Sequence, residues 1–399
     1  MKLLIVDEGS KVFQLPKTLH LFLVLILIFF ISCTSNMDGQ WGKLKVDTNI
    51  ALSFKLDSLS SNYWPVSQLF KTEDGNDYLI HQNPFPTNPN RLFFSSLNPL
   101  KESFFLNFDV EGPKGVGGIT DFYFHNFDSI FLIDRYSYRM SLVDSLGQLK
   151  MVYRLKENDS NEPDDSSVLP FSMDNRKIMK TGKFILIPVI PDVDPYDSNY
   201  NLRNLILVVN IENGEMKKKI GFPKSYQGEF RGDLFHYIPS FSLIDNKNLI
   251  VSYPLTDSIF RINIDSDEII PEFHSKSILM KGMTAADPSR WDDEESKRFQ
   301  FAVPRHTSVI HDPYRKTYLR VSNSGFDDES VSEMIKRRPA LRPSKSSIVI
   351  HEFSGKVIGR FIIEGEYNAS DILVLKRGLF IALNSQLEDE KVYHKIIID

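Results

Sequence analysis

Cysteine is nearly missing from this chain: Cys33 is the only one in 399 residues. No internal disulfide can form, so even in an oxidising compartment the fold has to be held by packing. An excess of one charge is missing too. The 47 lysines and arginines stand against 52 aspartates and glutamates, a formal net charge of −5 with both signs mixed along the chain, which leaves no electrostatic footprint for nucleic acid. Catalytic signatures are absent: there is no Gly-x-Ser-x-Gly elbow, no His-Glu-x-x-His and no Gly-Lys-Ser/Thr phosphate loop. No cofactor is implied.

The first feature present is an apolar run. Leu21–Ile31 is 11 residues long, short of the ~20 that cross a bilayer but within the ~7–15 of a signal-peptide core. Lys11, Lys17 and His20 supply a positive flank, while Asp7 and Glu8 are unusual there and point to an overlong start. Phe30-Ile31-Ser32-Cys33 reads as a lipobox, with cleavage before Cys33 and lipid on its sulfur. Thr34-Ser35-Asn36-Met37 follows as a polar tether with no aspartate after the cysteine, which favours outer-membrane sorting, periplasmic or surface-facing. The expected organisation is a signal peptide at 1–32, a tether at 33–45 and one domain at 46–399.

That domain reads as short strands in a repeated order. Phenylalanine (30) and tyrosine (15) are plentiful, which suits strands. Apolar hairpins are expected at Gln68–His81, Phe122–Asp134, Lys177–Pro188, Phe241–Tyr253, Val309–Val321 and Ile372–Leu383. Second hairpins follow around Asn98-Pro99, Gly147, Gly214, Ser266-Asp267 and Gly355. The last first-type hairpin is followed by a lone strand, Val392–Ile398, and a spare strand, Ile50–Leu56, sits near the start. Six first hairpins, five second hairpins and one complementary pair of ends make an all-β, six-bladed β-propeller of four-stranded blades, closed by the N-terminal strand. Seven blades is the alternative, with the extra one hidden in Tyr226–Tyr237 or near Lys281. Helical insertions are expected from Asp287-Pro288 to Phe299 and from Asp327-Asp328-Glu329 to Lys336-Arg337-Arg338.

Candidate chemistry is sparse. Gly112–Gly118 reads as a tight connection between blades one and two, and Glu157–Asp165 as a solvated acidic loop. Asp192–Asn199 carries three carboxylates but breaks the calcium-loop pattern, with Arg203 where the bidentate glutamate belongs. His306 and His311, five apart on a strand, fall on opposite faces and make poor joint metal ligands. Trp64, Asp121, Arg176, Tyr237, Arg305 and Asp371 each fall near the start of an innermost strand, where a propeller builds its funnel, and are the candidate binding residues. Asp121 and Asp371 are also the acid pair that an extracellular carbohydrate hydrolase would need.

The Cys33 leader, Gly112–Gly118 followed by Phe122–Phe131, and His311-Asp312-Pro313-Tyr314-Arg315-Lys316 together resemble a family of bacterial lipoproteins of unknown function, common in Bacteroidota and similar to six-bladed propeller lipoproteins. The resemblance covers nearly the whole chain after the leader. It implies a surface or periplasmic domain of unassigned role and carries no catalytic residue over. The expected roles are binding of an envelope protein or glycan ligand, hydrolysis of carbohydrate, or a structural place in an envelope complex. If Cys33 carries the anchor, Cys33→Ser shifts the chain from the membrane to the soluble fraction on cell fractionation; unchanged membrane association would remove the lipid claim.

Overall fold

The computed structural model describes residues 41–399 apart from 57–58, 84–89, 157–167, 174–175, 194, 196–199, 220, 227–230, 233, 267, 282–292, 328, 333–344, 385–388 and 399. Cys33 and its leader, Glu157–Asp165, the Asp287-Pro288 cap and Lys336-Arg337-Arg338 lie outside the described residues.

The chain first lays down β1 (Gly42–Lys43) and β2 (Lys45–Lys55). Blade one follows as β3 (Ser67–Lys71), β4 (Asp77–His81), β5 (Arg91–Ser96) and β6 (Phe104–Asn107). Blade two is β7 (Asp121–Asn126), β8 (Ser129–Asp134), β9 (Arg139–Val143) and β10 (Leu149–Arg154). Blade three has β11 (Val168–Pro170) and β12 (Met179–Thr181) sharing the inner position against β13 (Phe184–Pro191), then β14 (Ile206–Asn210) and β15 (Met216–Lys219). Blade four is β16 (Ser240–Leu243), β17 (Asn248–Ser252), β18 (Ser258–Asn263) and β19 (Ile269–His274). After a helix, α1 (Asp293–Ala302), blade five is β20 (Arg305–Asp312), β21 (Thr317–Asn323), β22 (Lys345–Glu352) and β23 (Val357–Glu364). Blade six is β24 (Tyr367–Leu375), β25 (Gly378–Leu383) and β26 (Glu390–Ile397), completed by β2.

This is a six-bladed β-propeller. The residues around Tyr226–Tyr237 form short 3-10 turns at Lys224–Tyr226 and Leu234–His236 rather than a seventh blade. The ring also starts earlier than residue 46, since Gly42 and Lys43 pair in parallel with Phe361 and Ile362 at the outer edge of blade five. Asp327 caps a helical turn at 329–332, accepting from the Ser330 amide at 2.8 Å.

Every blade packs against a neighbour on both faces, so its middle strands are largely apolar. Successive side chains point to opposite seams. On β8, Ile130 and Leu132 join the cluster between blades one and two, while Phe131 and Ile133 join that between blades two and three. The buried apolar residues fall into six clusters, each bridging one seam of the ring.

Turn chemistry explains why the strands stop where they do. Asp134, Asp144, Asp245, Asn263 and Asp312 each accept hydrogen bonds from amides two or more residues on, closing the turn after a strand. The glycine run is the tight connection expected of it. Gly117 has φ +82°, and a Cβ there would collide with the Asp134 carboxylate.

The seam between blades four and five has the smallest apolar cluster: Ile250, Ile259, Val309 and Tyr318. A buried polar network takes its place. Arg320, 1% exposed, donates from Nε to Ser252 Oγ at 3.1 Å and from Nη1 to the Asp257 and Ser275 carbonyls at 2.7 and 2.9 Å, and it also reaches the Thr256 carbonyl. Desolvation pulls its pKa down to about 9, which still leaves a cation at neutral pH, satisfied by carbonyl dipoles.

Closure rests on β2. Leu52 and Phe54 face the blade six–blade one cluster with Trp64, Leu79, Phe380 and Tyr393. Phe54→Ala is expected to cost about 3–5 kcal/mol, as a large aromatic lost from a core does, read as a lower urea midpoint. A change under ~1 kcal/mol would show that the closing strand is not structurally required.

Candidate functional site

Regular inner strands would line the ring with an even wall, but four of them are interrupted, β7 of blade two between Phe124 and Asn126 and three others as follows. In blade three the chain runs from Pro170, paired with Val189, to Met179, paired with Leu186, so nine residue steps on the inner side match three on β13. The surplus loops out, pinned by a Met173–Arg176 bridge. In blade five, β20 shifts register between His306 and Ser308, leaving Thr307 extra. In blade six, β24 shifts between Asn368 and Ile372, leaving Ala369, Ser370 and Asp371 extra. Bulges re-aim side chains, and those of blades three, five and six meet at one place.

That place is a cavity of about 160 Å³ lined by Arg176, Arg305, His306, Thr307, Asn323 and Ser370, with Met173, Phe235, Ile238 and Pro239 around them. Ser370 also lines a second cavity of about 380 Å³. Its wall is mostly apolar, with Met179, Phe241, Leu243, Ile310 and Ile372 among the residues, and its polar groups include Lys177, His311 and Asp371. Lys177 Nζ reaches 3.4 Å from Ser67 Oγ, joining blade three to blade one.

Three of the six candidate residues line these cavities. Arg176, 2% exposed, donates from Nη2 to the Val189 carbonyl at 2.9 Å and stacks over Phe241 at 5.5 Å. Its Nε and Nη1 have no hydrogen-bond partner. Desolvation lowers its pKa to about 9, the Tyr200 phenol opposing the shift slightly. Arg305, half-buried, donates from Nη1 to the Gln300 carbonyl at 2.8 Å and lies over the Phe235 ring at 5.4 Å. Asp371 is already paired: Lys391 Nζ sits 2.7 Å from Oδ2, and the Tyr393 hydroxyl donates to both oxygens at 3.0 and 3.1 Å.

The other three line neither cavity. Trp64, 3% exposed, stacks on His81 at 3.7 Å, holds Lys391 Nζ 4.4 Å above its ring, and donates to the Ser61 carbonyl, so it seals the seam where the ring closes. Tyr237 is buried in the cluster between blades three and four, its hydroxyl accepting from the Arg231 amide at 2.7 Å. Asp121, 1% exposed, accepts from the Phe122 amide at 2.7 Å, and desolvation raises its pKa to about 7. The acid pair is therefore not brought into a shared cavity.

His306 lines the smaller cavity and His311 the larger, so they do not converge on one ion. Among the described residues no group of three His, Cys, Asp or Glu side chains could hold a metal. Of Asp192–Asn199, Asp192 accepts from the Tyr138 hydroxyl at 2.8 Å, and most of the remainder lies outside the described residues. Reading the sequence missed Lys177, Asn323 and Ser370. A register count across paired strands exposes Ser370.

The model of the family described as a domain of unknown function, DUF4221, matches residues 45–340. The chain belongs to this family. A solved DUF4221 member from Bacteroides vulgatus is similar over 90% of this chain and 99% of its own, with a TM-score of 0.74 and 16% identity, which shows the shared fold. An exported-type protein from Bacteroides fragilis matches with a TM-score of 0.46 and 11% identity over 90% of this chain and 99% of its own. A virginiamycin B lyase from Staphylococcus aureus matches with a TM-score of 0.41 and 11% identity over 87% and 99%. No match is found among curated proteins.

Acid should loosen this DUF4221 propeller. Burial lowers the pKa of His306 to about 3 and of His351 to about 4, and holds His81 well below its usual value. Each is neutral when folded and charges on unfolding below its ordinary pKa of about 6.5. Their stabilisation is complete above that pH and is lost as pH falls toward 4. Asp121 works the other way, since it holds a proton in the folded state up to about 7. His125 and His311 are lowered by burial as well, so the histidines outnumber the one raised carboxyl and the net effect of acid near pH 5 is a loss of stability. The melting temperature should drop from pH 7 to pH 5, less steeply in His306→Gln and more steeply in Asp121→Asn. A melting temperature that rises on acidification would refute this.

Proposed function

We propose that this chain is a lipid-anchored protein of the cell envelope that binds a ligand or protein partner through the funnel of its propeller. The observation that carries this reading is Arg176: a guanidinium 2% exposed, with two nitrogens unpartnered, in the wall of a cavity. Leaving such a group unpaired in a protein interior is costly. A fold that tolerates it, at a point where three inner strands have lost their register, is organised for something that enters. Pockets with a mostly apolar wall and a few converging polar groups are the usual form of a ligand site. The leader ending at Cys33 supports the outer-membrane placement, facing the periplasm or the surface.

The hydrolytic alternative is less well supported, because Asp371 is taken up by Lys391 and Tyr393 while Asp121 lines neither cavity. A structural subunit would use the outer faces and leave the funnel idle.

Thermal-shift titration of the full chain against a library of envelope glycans, peptides and small acids tests the reading. At least one compound should stabilise the chain saturably, by about 2.7 kcal/mol at a hundredfold excess over Kd, and the Arg176→Gln/Arg305→Gln double variant should lose that response. Stabilisation that survives both substitutions would move the site out of the funnel.

A further inference from the structure

Antiparallel pairing puts two turns of each blade at the same end of its strands: the one between the first and second strands and the one between the third and fourth. In blades one to four these turns carry acids, from Asp74 and Glu102 in blade one to Asp245 and Asp265 in blade four, and Lys183, in a turn without one, reaches Glu212 at 3.4 Å. Blades five and six differ. Their turns at 313–316, 353–356 and 376–377 contain no acid and expose Lys316, Lys356, Lys376 and Arg377. Among the described residues no carboxylate pairs with any of these four cations. The register sets the three turns side by side. Asp312 opposes Thr317, Thr317 opposes Glu352, and His351 opposes Val357. Arg315, held by Asp312, donates from Nη1 and Nη2 to the Leu375 carbonyl at 3.2 Å each, which ties the 313–316 turn to the residue before Lys376. Apolar side chains are exposed along the same edge: Tyr314 by 56%, Phe353 by 38% and Ile397 by 37%.

The chain enters the ring from this side. β1 runs parallel to β23, away from the 353–356 turn, and β2 starts with Lys45 opposite Ile397. Cys33 stands nine residues before Gly42, a reach of at most about 30 Å. Resting on the lipid anchor of the reading above, we propose that the turn edge of blades five and six lies on an anionic bilayer surface. Lys316, Lys356, Lys376 and Arg377 meet the lipid phosphates, and each cation near such a surface strengthens binding roughly fivefold. Tyr314 and Phe353 sit at headgroup level, where aromatic rings are favoured. An acyl anchor and a basic patch are complementary membrane signals. The opposite end of the inner strands then faces water. Arg305 opposes Asn323 at the far end of β20 and β21, and both line the small cavity, so its ligand arrives from the aqueous side.

The lack of any cysteine besides Cys33 gives a direct test. With the Cys33 sulfur taken by lipid, Ser354→Cys on the edge, or Tyr136→Cys in a turn at the opposite end of blade two, accepts a fluorophore alone. The lipoprotein is reconstituted into vesicles of phosphatidylcholine and phosphatidylglycerol that contain a headgroup-nitroxide lipid. Quenching should be severalfold stronger at 354 than at 136. Vesicles of phosphatidylcholine alone should weaken it at 354, and so should Lys316→Glu/Lys356→Glu/Lys376→Glu, which loses roughly fivefold per cation; near-UV circular dichroism checks that this variant folds. Equal quenching at the two positions in an anchored chain would overturn the orientation and leave the anchor standing. Quenching at 354 that ignores both lipid charge and the triple substitution would overturn the anionic-lipid assignment. Chain-to-chain crosslinks through Ser354→Cys in place of lipid quenching would make a second copy of the chain the occupant and overturn the bilayer. A Cys33 that itself takes the fluorophore carries no lipid, which would overturn the anchor and this inference together, while funnel binding is read separately by the ligand titration.

Discussion

The ring depends on one pairing made across almost the whole chain. β2 lies against β26, from Lys45 opposite Ile397 to Lys55 opposite Glu390. No blade can bury both faces by itself. Each relies on its neighbours, so an open ring would expose two apolar blade faces and a row of unpaired strand groups. Bringing the ends together costs loop-closure entropy, but that cost grows only slowly with length. The return is the blade six–blade one cluster, with Trp64 stacked on His81 and Lys391 fastening Asp371 to the Asn62 carbonyl.

With closure secured, the seams vary in chemistry. Five are filled mainly by apolar side chains, and the one between blades four and five leans on Arg320 and the neutral histidines His306 and His351. His351 bonds the Ser275 hydroxyl across the seam at 2.7 Å, while His306 bonds the Ser322 hydroxyl within its own blade and reaches Asp257 across the seam at 3.3 Å. The same seam adjoins the small cavity through His306 and Asn323. The polar wall of the funnel is thus continuous with the polar packing behind it, which helps to hold a site of charged groups in a defined shape.

The hairpins were legible because blade strands carry their signal locally. An apolar stretch, a turn such as Asp74-Gly75 or Asp245-Asn246 and a second apolar stretch are enough to place two strands, and counting them gives the ring. The site was only partly legible. Position at the start of an inner strand was the available cue, and it located Arg176, Arg305 and Asp371 but also Trp64 and Tyr237, whose aromatic rings pack into seams instead. A bulge leaves little trace in sequence: Thr307 and Ser370 look like any other polar residue in a strand. The loop-out of blade three lies in a nondescript linker just ahead of what reads as one hairpin, Lys177–Pro188.

By itself the sequence determined the class of fold, the number of blades and the means of closing them, because apolar period, turn residues and unmatched end strands are properties of short segments that any arrangement must satisfy. Tertiary structure decided which way the side chains at the ring's centre point, since that depends on the register between strands and on what the neighbouring blade leaves room for. The clearest case is Arg176. Its sequence neighbourhood says nothing of a cation 2% exposed with two unpartnered nitrogens. Only the mismatch of its segment with β13, and the bulges in blades five and six, place it in the wall of a cavity.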